Sequence, residues 1–366
     1  MDFRTRILLF CTFLHCPFLA MTAGTPSVVE KVVEYTSVGP RGEQIRLSGK
    51  VSVPMKSQPK GLMLIPHFTI AANDEAPSMC TPAEAKVFRD DYVLVMPDYI
   101  GFGITRDSTM PYLDGALTAR NCVDMLLQVP SVIDSIRSRA YSDTIIIFGF
   151  SQGGAAALWT LKLLEEQYAD RIHVKACYAG SGPYDVASTY DVAVMTDKVG
   201  YAMTIPTLIL GTNEAYDLHL SNDYFFTPEL QHAYDKFVAP KEKGVLALFF
   251  LMNRHRTSYW MTRNGMDKTQ PEPQRLYQGL LRSSLVHVPM DTLAISADTV
   301  CVAPPKAPTY VFHSTEDDIV TFENARHLQQ CWSDAPNVTF DFGNHGSHLR
   351  SFLVFSHRVR KILDKQ

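Results

Sequence analysis

Ser151 stands in the string Gly149-Phe150-Ser151-Gln152-Gly153, with Gly154 directly after it. A serine hydroxyl at its free pKa is a weak nucleophile, and it needs a base that is itself oriented by an acid. Glycine on both sides suits a chain that turns so tightly that the serine is thrown clear of its neighbours. The amide that follows the serine then points at negative charge developing on a bound carbonyl oxygen. The string therefore implies acyl transfer, with Ser151 as nucleophile and the Gln152 backbone N–H as one oxyanion donor. The bland alternative is an ordinary Gly-rich turn. Its setting argues for the first reading, because an Ile-rich apolar run (Thr144 to Phe150) precedes it and an Ala- and Leu-rich stretch (Gly154 to Tyr168) follows.

In such an arrangement the acid follows the serine and the base follows the acid. His313-Ser-Thr-Glu-Asp317-Asp-Ile-Val320 leaves the end of a predicted strand, and Asp317 is the expected acid. Glu316 and Asp318 are its rivals, and Asp318 also suits a helix N-cap. Phe340-Asp-Phe-Gly-Asn-His345-Gly-Ser-His348 supplies two histidines. His345 is the expected base, because it falls in a loop with Gly346 leaving room beside it, whereas His348 falls on the next helix. The second oxyanion donor is expected, by position alone, from the backbone N–H of Thr69 or Phe68 in Pro66-His-Phe-Thr-Ile70. Two histidines three apart make a weak metal signal, and no Cys-x-x-Cys pair occurs. The chemistry needs no metal or organic cofactor. His173, His219 and His287 read as ordinary surface or core residues.

These residues must be carried by a scaffold, and its elements are visible. Val28–Tyr35 and Gln44–Val53 read as a hairpin around Gly39-Pro-Arg-Gly42. Short apolar runs follow at 61–66, 92–98, 144–150, 174–179, 309–313 and 338–342, bounded by Gly, Pro or Asp. Runs apolar on both faces are what central parallel strands look like. Helical spacing recurs at Ala116–Gln128, Gly154–Tyr168, Phe322–Cys331 and Leu349–Leu363. The alternation implies an α/β fold, a mostly parallel central sheet flanked by helices. Between Asp185 and Pro305 the rhythm breaks, and only Thr207–Leu210 resembles a sheet-core run. Scattered aromatics there (Tyr224-Phe-Phe226, Tyr259-Trp-Met261) suggest a largely helical cap or lid at 186–305, inserted in a core of 24–185 and 306–366; a separate second domain is the alternative.

Of the 366 residues, 46% are hydrophobic, enough for a large core, and a formal net charge of −4 gives no electrostatic case for nucleic acid. Arg4 and Arg6 precede the apolar run Ile7–Ala20 and the small-residue segment that ends near Ala23. This is the order of a secretory signal peptide over 1–23, too short to span a bilayer, and no membrane span is expected after its removal. The destination is the periplasm or the medium, and a lipoprotein anchor at Cys16 is disfavoured by His15 before it. Outside this segment five of the seven cysteines remain, an odd number, with Cys301 and Cys331 a candidate bridge.

Several segments together resemble bacterial α/β-hydrolases of the secretory-lipase group. They are Ser48-Gly-Lys-Val-Ser-Val-Pro54, Pro66-His-Phe-Thr69 with Ala76-Pro-Ser78, Pro97-Asp-Tyr-Ile-Gly-Phe-Gly103, Met110-Pro-Tyr-Leu113 and the serine elbow. The likeness covers most of 35–185 and resumes over 307–350. It implies the α/β-hydrolase fold, esterase or lipase activity on a small-molecule ester, a helical lid between the sixth and seventh strands, and the triad Ser151, Asp317 and His345. Where that group usually has Gly, this chain has Phe68. Two other readings stay open: an exported aminopeptidase or prolyl peptidase, with Glu214, Asp217, Glu229 or Asp235 holding a free amine, and a non-catalytic binding protein on the same fold. Oligomeric state is not legible.

Overall fold

The computed structural model describes residues 27–138, 144–197, 204–252, 255–288 and 300–366. The signal-peptide segment, with Cys11 and Cys16, lies outside the described residues. The leading hairpin is β1 (Val28–Val38) and β2 (Gln44–Pro54), paired antiparallel along their whole length. Six further strands complete one sheet: β3 (Leu62–Leu64), β4 (Val93–Pro97), β5 (Thr144–Phe150), β6 (His173–Gly180), β9 (Thr309–Ser314) and β10 (Val338–Gly343). Their order is β1-β2-β4-β3-β5-β6-β9-β10, and every pairing beyond β2/β4 is parallel. Two residues each of β7 (Val286–His287) and β8 (Val300–Cys301) form a separate antiparallel ladder.

The continuous apolar runs are explained by what covers each face. Along β5, Ile145 and Ile147 join a core with Leu158 and Leu161, while Ile146, Phe148 and Phe150 join another with Phe352 and Phe355. The period of two along a strand sends alternate side chains to opposite layers, so both sets must be apolar. One layer holds α2 (Gly115–Gln128), α3 (Pro130–Ile136) and α4 (Gln152–Gln167); the other holds the short α1 (Ala83–Lys86) and the C-terminal helix His348–Leu363. This is the α/β architecture that the alternation predicts.

Between β6 and β9 the described chain is mostly helical: α5 (Val186–Met195), α6 (Thr204–Tyr216), α7 (Asn222–Phe225), α8 (Pro228–Ala233), α9 (Val245–Met252), α10 (Thr257–Trp260), α11 (Arg263–Met266) and α12 (Pro271–Arg282). They share their own apolar cluster around Tyr190, Ile205, Phe225, Trp260 and Leu276. Thr207–Leu210, read as a sheet-core run, lies inside α6. Four apolar residues do not distinguish a buried strand from a buried helical turn. Pro206 stands in that helix's first turn, where its missing N–H costs little. After β9 come α13 (Glu323–Cys331) and α14, the C-terminal helix His348–Leu363. A Cys301–Cys331 disulfide, Cα atoms 5.7 Å apart, ties β8 to α13, and Cys80, Cys122 and Cys177 are free.

Candidate active site

Ser151 sits between β5 and α4 with φ 57° and ψ −127°, a conformation unfavourable for a residue with a Cβ. The turn is held by Ser151 N–H donating to Gly180 O at 2.8 Å and Gly154 N–H donating to Ser151 O at 2.9 Å. It also explains the glycines. A Cβ on Gly149 would stand 2.0 Å from Gly153 O, and one on Gly153 would stand 2.2 Å from Pro66 O. No side chain fits either position, so the spacing in the sequence is a steric requirement of the turn.

Asp317 lies in the loop after β9. Its Oδ1 accepts the Ile319 and Val320 amides at 3.0 and 2.8 Å, and its Oδ2 accepts Nδ1–H of His348 at 2.7 Å. Burial alone would raise its carboxyl. The His348 imidazole first, then His313 and the Ile319 amide, outweigh that and hold it below the usual carboxylate range. His348 opens α14 with its ring against Phe150, centroids 4.9 Å apart, and its backbone N–H donates to Asp318 Oδ1 at 2.9 Å. Asp318 therefore satisfies an orphan amide at the start of α14.

His345, the expected base, is elsewhere. Its ring stacks on Phe312 at 4.7 Å, and its Nε2 is 3.7 Å from Asp341 Oδ1. Burial and the Arg358 guanidinium lower its pKa, against the pull of Asp341. Asp341 is already engaged by Arg358 and Tyr310. The pairing of Asp317 with His345 is thus corrected to Asp317 with His348. The backbone reason is Gly346, at φ 84°, which turns the chain after His345 and aims the first residue of α14 back at the β9 loop. The sequence does carry a signal for this: a histidine at a helix start still faces the strand ends.

Phe68 also needs correction as an oxyanion donor. Its N–H donates to the buried Glu84 Oε1 at 2.8 Å and is not free for a ligand. Thr69 and Gln152 remain. Both line the same cleft as Ser151 and His348, and Gln152 is the first residue of α4, where helix amides lack internal partners. Thr69 Oγ1 lies 2.8 Å from the hydroxyl of Tyr112, which lines the same cleft.

The cleft occupies about 1160 Å³, its open mouth included. Its walls are apolar: Phe150 and Phe352 from the core, Tyr190, Ile205 and Leu208 from α5 and α6, and Leu246 and Phe249 from α9. The carboxylate on its wall, Glu75, accepts the Ala71, Ala72 and Val245 amides at 2.9, 3.1 and 3.0 Å and so ties α9 to the loop after β3. Among the described residues no group of three or more His, Cys, Asp or Glu is placed to hold a metal ion.

Strand order, the elbow after β5 and the helices on both faces define an α/β-hydrolase. Solved structures share that fold at low identity. The esterase LipA of Xanthomonas oryzae matches with a TM-score of 0.77 and 19% identity, over 93% of this chain and 92% of its own. Candida antarctica lipase A matches at 0.63 and 14%, over 88% of this chain and 73% of its own. Residues 84–356 match the secretory lipase family, and the chain belongs to that family. A secreted triacylglycerol lipase of Malassezia furfur, LIP5, is 25% identical over 252 residues, 67% of this chain and 57% of its own. LIP3 of Malassezia restricta is 23% identical over 273 residues, 72% and 50%. The chain thus spans only about half the length of the curated relatives it matches.

Proposed function

We propose that the protein is an exported carboxylester hydrolase in which Ser151 attacks, His348 moves the proton and Asp317 orients His348. The observation that carries this reading is the 2.7 Å Asp317–His348 pair, which delivers an oriented imidazole to the cleft that Ser151 lines. With Nδ1 bound to Asp317, Nε2 is the nitrogen left for the serine proton. The Ser151 hydroxyl adds to the ester carbonyl, His348 takes its proton, and the Gln152 and Thr69 amides receive the oxyanion. Each such donor is worth roughly 3 kcal/mol in the transition state. His348 then protonates the leaving alcohol, and water, activated by the same nitrogen, releases the acid.

The apolar walls favour an acyl chain over a charged substrate. The carboxylates that would hold a peptide's free amine do not support the peptidase reading, since Glu214, Asp217, Glu229 and Asp235 are not on the cleft wall. Glu214 faces Arg41 at 3.2 Å, and Asp235 accepts the Gln231 amide at 2.9 Å. Export is supported by the N-terminal pattern and by the secreted Malassezia relatives. Among the described residues no helix is long and apolar enough to cross a membrane.

The test is hydrolysis of p-nitrophenyl esters of increasing chain length, with fluorophosphonate labelling in parallel. Wild type should turn over esters and be labelled, and Ser151→Ala should abolish both. Ester turnover that survives Ser151→Ala would sink the mechanism. Labelling without ester turnover, together with cleavage of aminoacyl anilides, would move the assignment to a peptidase; a folded wild type that is neither labelled nor active would move it to a binding protein.

A further inference from the structure

Glu84 is fully buried on α1, and no salt bridge reaches it among the described residues. One carboxyl oxygen accepts the Phe68 N–H at 2.8 Å, and the other has no hydrogen-bond partner. An isolated carboxyl in an apolar interior is expensive to keep, so its neighbours are informative. The peptide that links His67 to Phe68 is held at both ends, its N–H by Glu84 and its carbonyl by the Tyr99 hydroxyl at 3.2 Å. In the next peptide, Phe68 O lies 2.6 Å from His67 Nδ1, and the N–H belongs to Thr69. The C=O and N–H of a trans peptide point in opposite directions, and no peptide here is cis. Holding Phe68 O against the buried His67 ring therefore turns the Thr69 N–H away from that ring, and Thr69 lines the cleft.

We infer that Glu84 is a positioning residue for ester hydrolysis: by anchoring the Phe68 amide it aims the Thr69 amide at the oxyanion. This rests on the serine-hydrolase reading above. It also gives the two neighbouring amides separate roles, since residue 68 anchors the loop and residue 69 donates. Burial pushes the Glu84 carboxyl up to about 7, but either protonation state leaves an oxygen able to accept from Phe68.

The experiment compares wild type, Glu84→Gln and Glu84→Ala on a soluble short-chain p-nitrophenyl ester. It also measures inhibition by a trifluoromethyl ketone, whose adduct with serine carries the tetrahedral oxyanion. Glu84→Ala should lower kcat by about 10- to 100-fold with KM within about threefold, as expected for a misaimed oxyanion donor. Inhibitor affinity should fall in parallel. Glu84→Gln keeps a carbonyl for the Phe68 amide and should recover most of both losses. The inference is overturned if folded Glu84→Ala keeps wild-type kcat, or if Glu84→Gln, folded by circular dichroism, is as impaired as Glu84→Ala. A wild type inert to all esters and unlabelled by fluorophosphonate would instead remove the reading underneath, and this inference with it.

Discussion

The side chains of Asp317 and Asp185 are both fully buried, and each accepts Nδ1–H from histidine: His348 at 2.7 Å for the first, His287 and His327 at 3.0 and 2.8 Å for the second. Asp185 also takes the Ser188 N–H and hydroxyl and the Val288 N–H. Burial would raise both carboxyls, and in both the histidines outweigh it and leave the pKa lowered. What separates them is where the imidazole goes next. His348 opens onto the cleft beside Ser151, whereas His287 and His327 are closed in between α13 and the ends of the helical segment. Asp185 caps α5, the start of that segment, while His287 and Val288 mark its return and His327 stands on the core. On the mechanism proposed above, the same pair of residue types serves as a proton relay in one place and as a brace in the other. Contact between Asp and His is not the diagnostic feature; access to a cleft is.

The largest expected effect breaks the symmetry of the two. Asp317→Asn should lower kcat/KM by about 10,000-fold, because the imidazole loses its fixed tautomer, while the Asn carbonyl still caps Ile319 and Val320 and keeps the loop folded. Asp185→Ala should do the reverse. Removing the shared acceptor of two buried histidines should cost about 3–5 kcal/mol in stability, read by denaturant titration, with activity per folded molecule retained. If Asp185→Ala were as stable as wild type, the brace would be wrong.

The disulfide lies directly behind that brace, since β8 pairs with β7, which carries His287, and Cys331 is one turn from His327 on α13. Cys301→Ser with Cys331→Ser opens a link spanning 30 residues and should cost roughly 3 kcal/mol. The melting temperature should fall, and reductant should lower wild type to the same value.

Acidity sharpens the contrast. With lowered native pKa values, Asp185 and Asp317 contribute stability that is present above the unfolded carboxylate range and lost as pH falls through the native values. Glu84, raised to about 7, has the opposite sign: its contribution is full below its unfolded value and lost as pH rises through 7. Glu84→Gln should therefore melt higher relative to wild type at pH 8 than at pH 5. The smallest effect is expected of His345→Ala, whose kcat/KM should stay within about threefold of wild type, against near-complete loss in His348→Ala.

Much of this was legible in the residues. The central strands β3, β4 and β5 stand out because both faces are buried and their apolar runs are uninterrupted, whereas the half-exposed β1 and its partner β2 are legible through the turn that joins them. The elbow was legible because Gly149 answers to a backbone contact four residues on, at Gly153 O, although Gly153 itself answers to the distant Pro66 O. Asp317 lies in the loop after β9, where its position in the sequence puts it, because only Thr315 and Glu316 separate it from the strand end. The histidine partner of Asp317 is not legible because His345 and His348 are three residues apart, and only the direction of the chain after Gly346 decides which imidazole meets Asp317. Phe68 was misread for a related reason, as the acceptor of its amide is 16 positions away on a helix of four residues. The Asp185 brace joins positions 102 and 142 apart, beyond anything spacing reveals.

Gly180 on β6 and Phe312 on β9 are register partners, so about 130 residues of chain leave the sheet and return to the adjacent rung. Ser151, Asp317 and His348 all follow strands of that sheet, and none comes from the excursion between. Its length and sequence can therefore drift without shifting the spacing of the reacting groups. If the proposed mechanism holds, inheritance can revise what the protein accepts in one stretch of gene and leave how it reacts to the other.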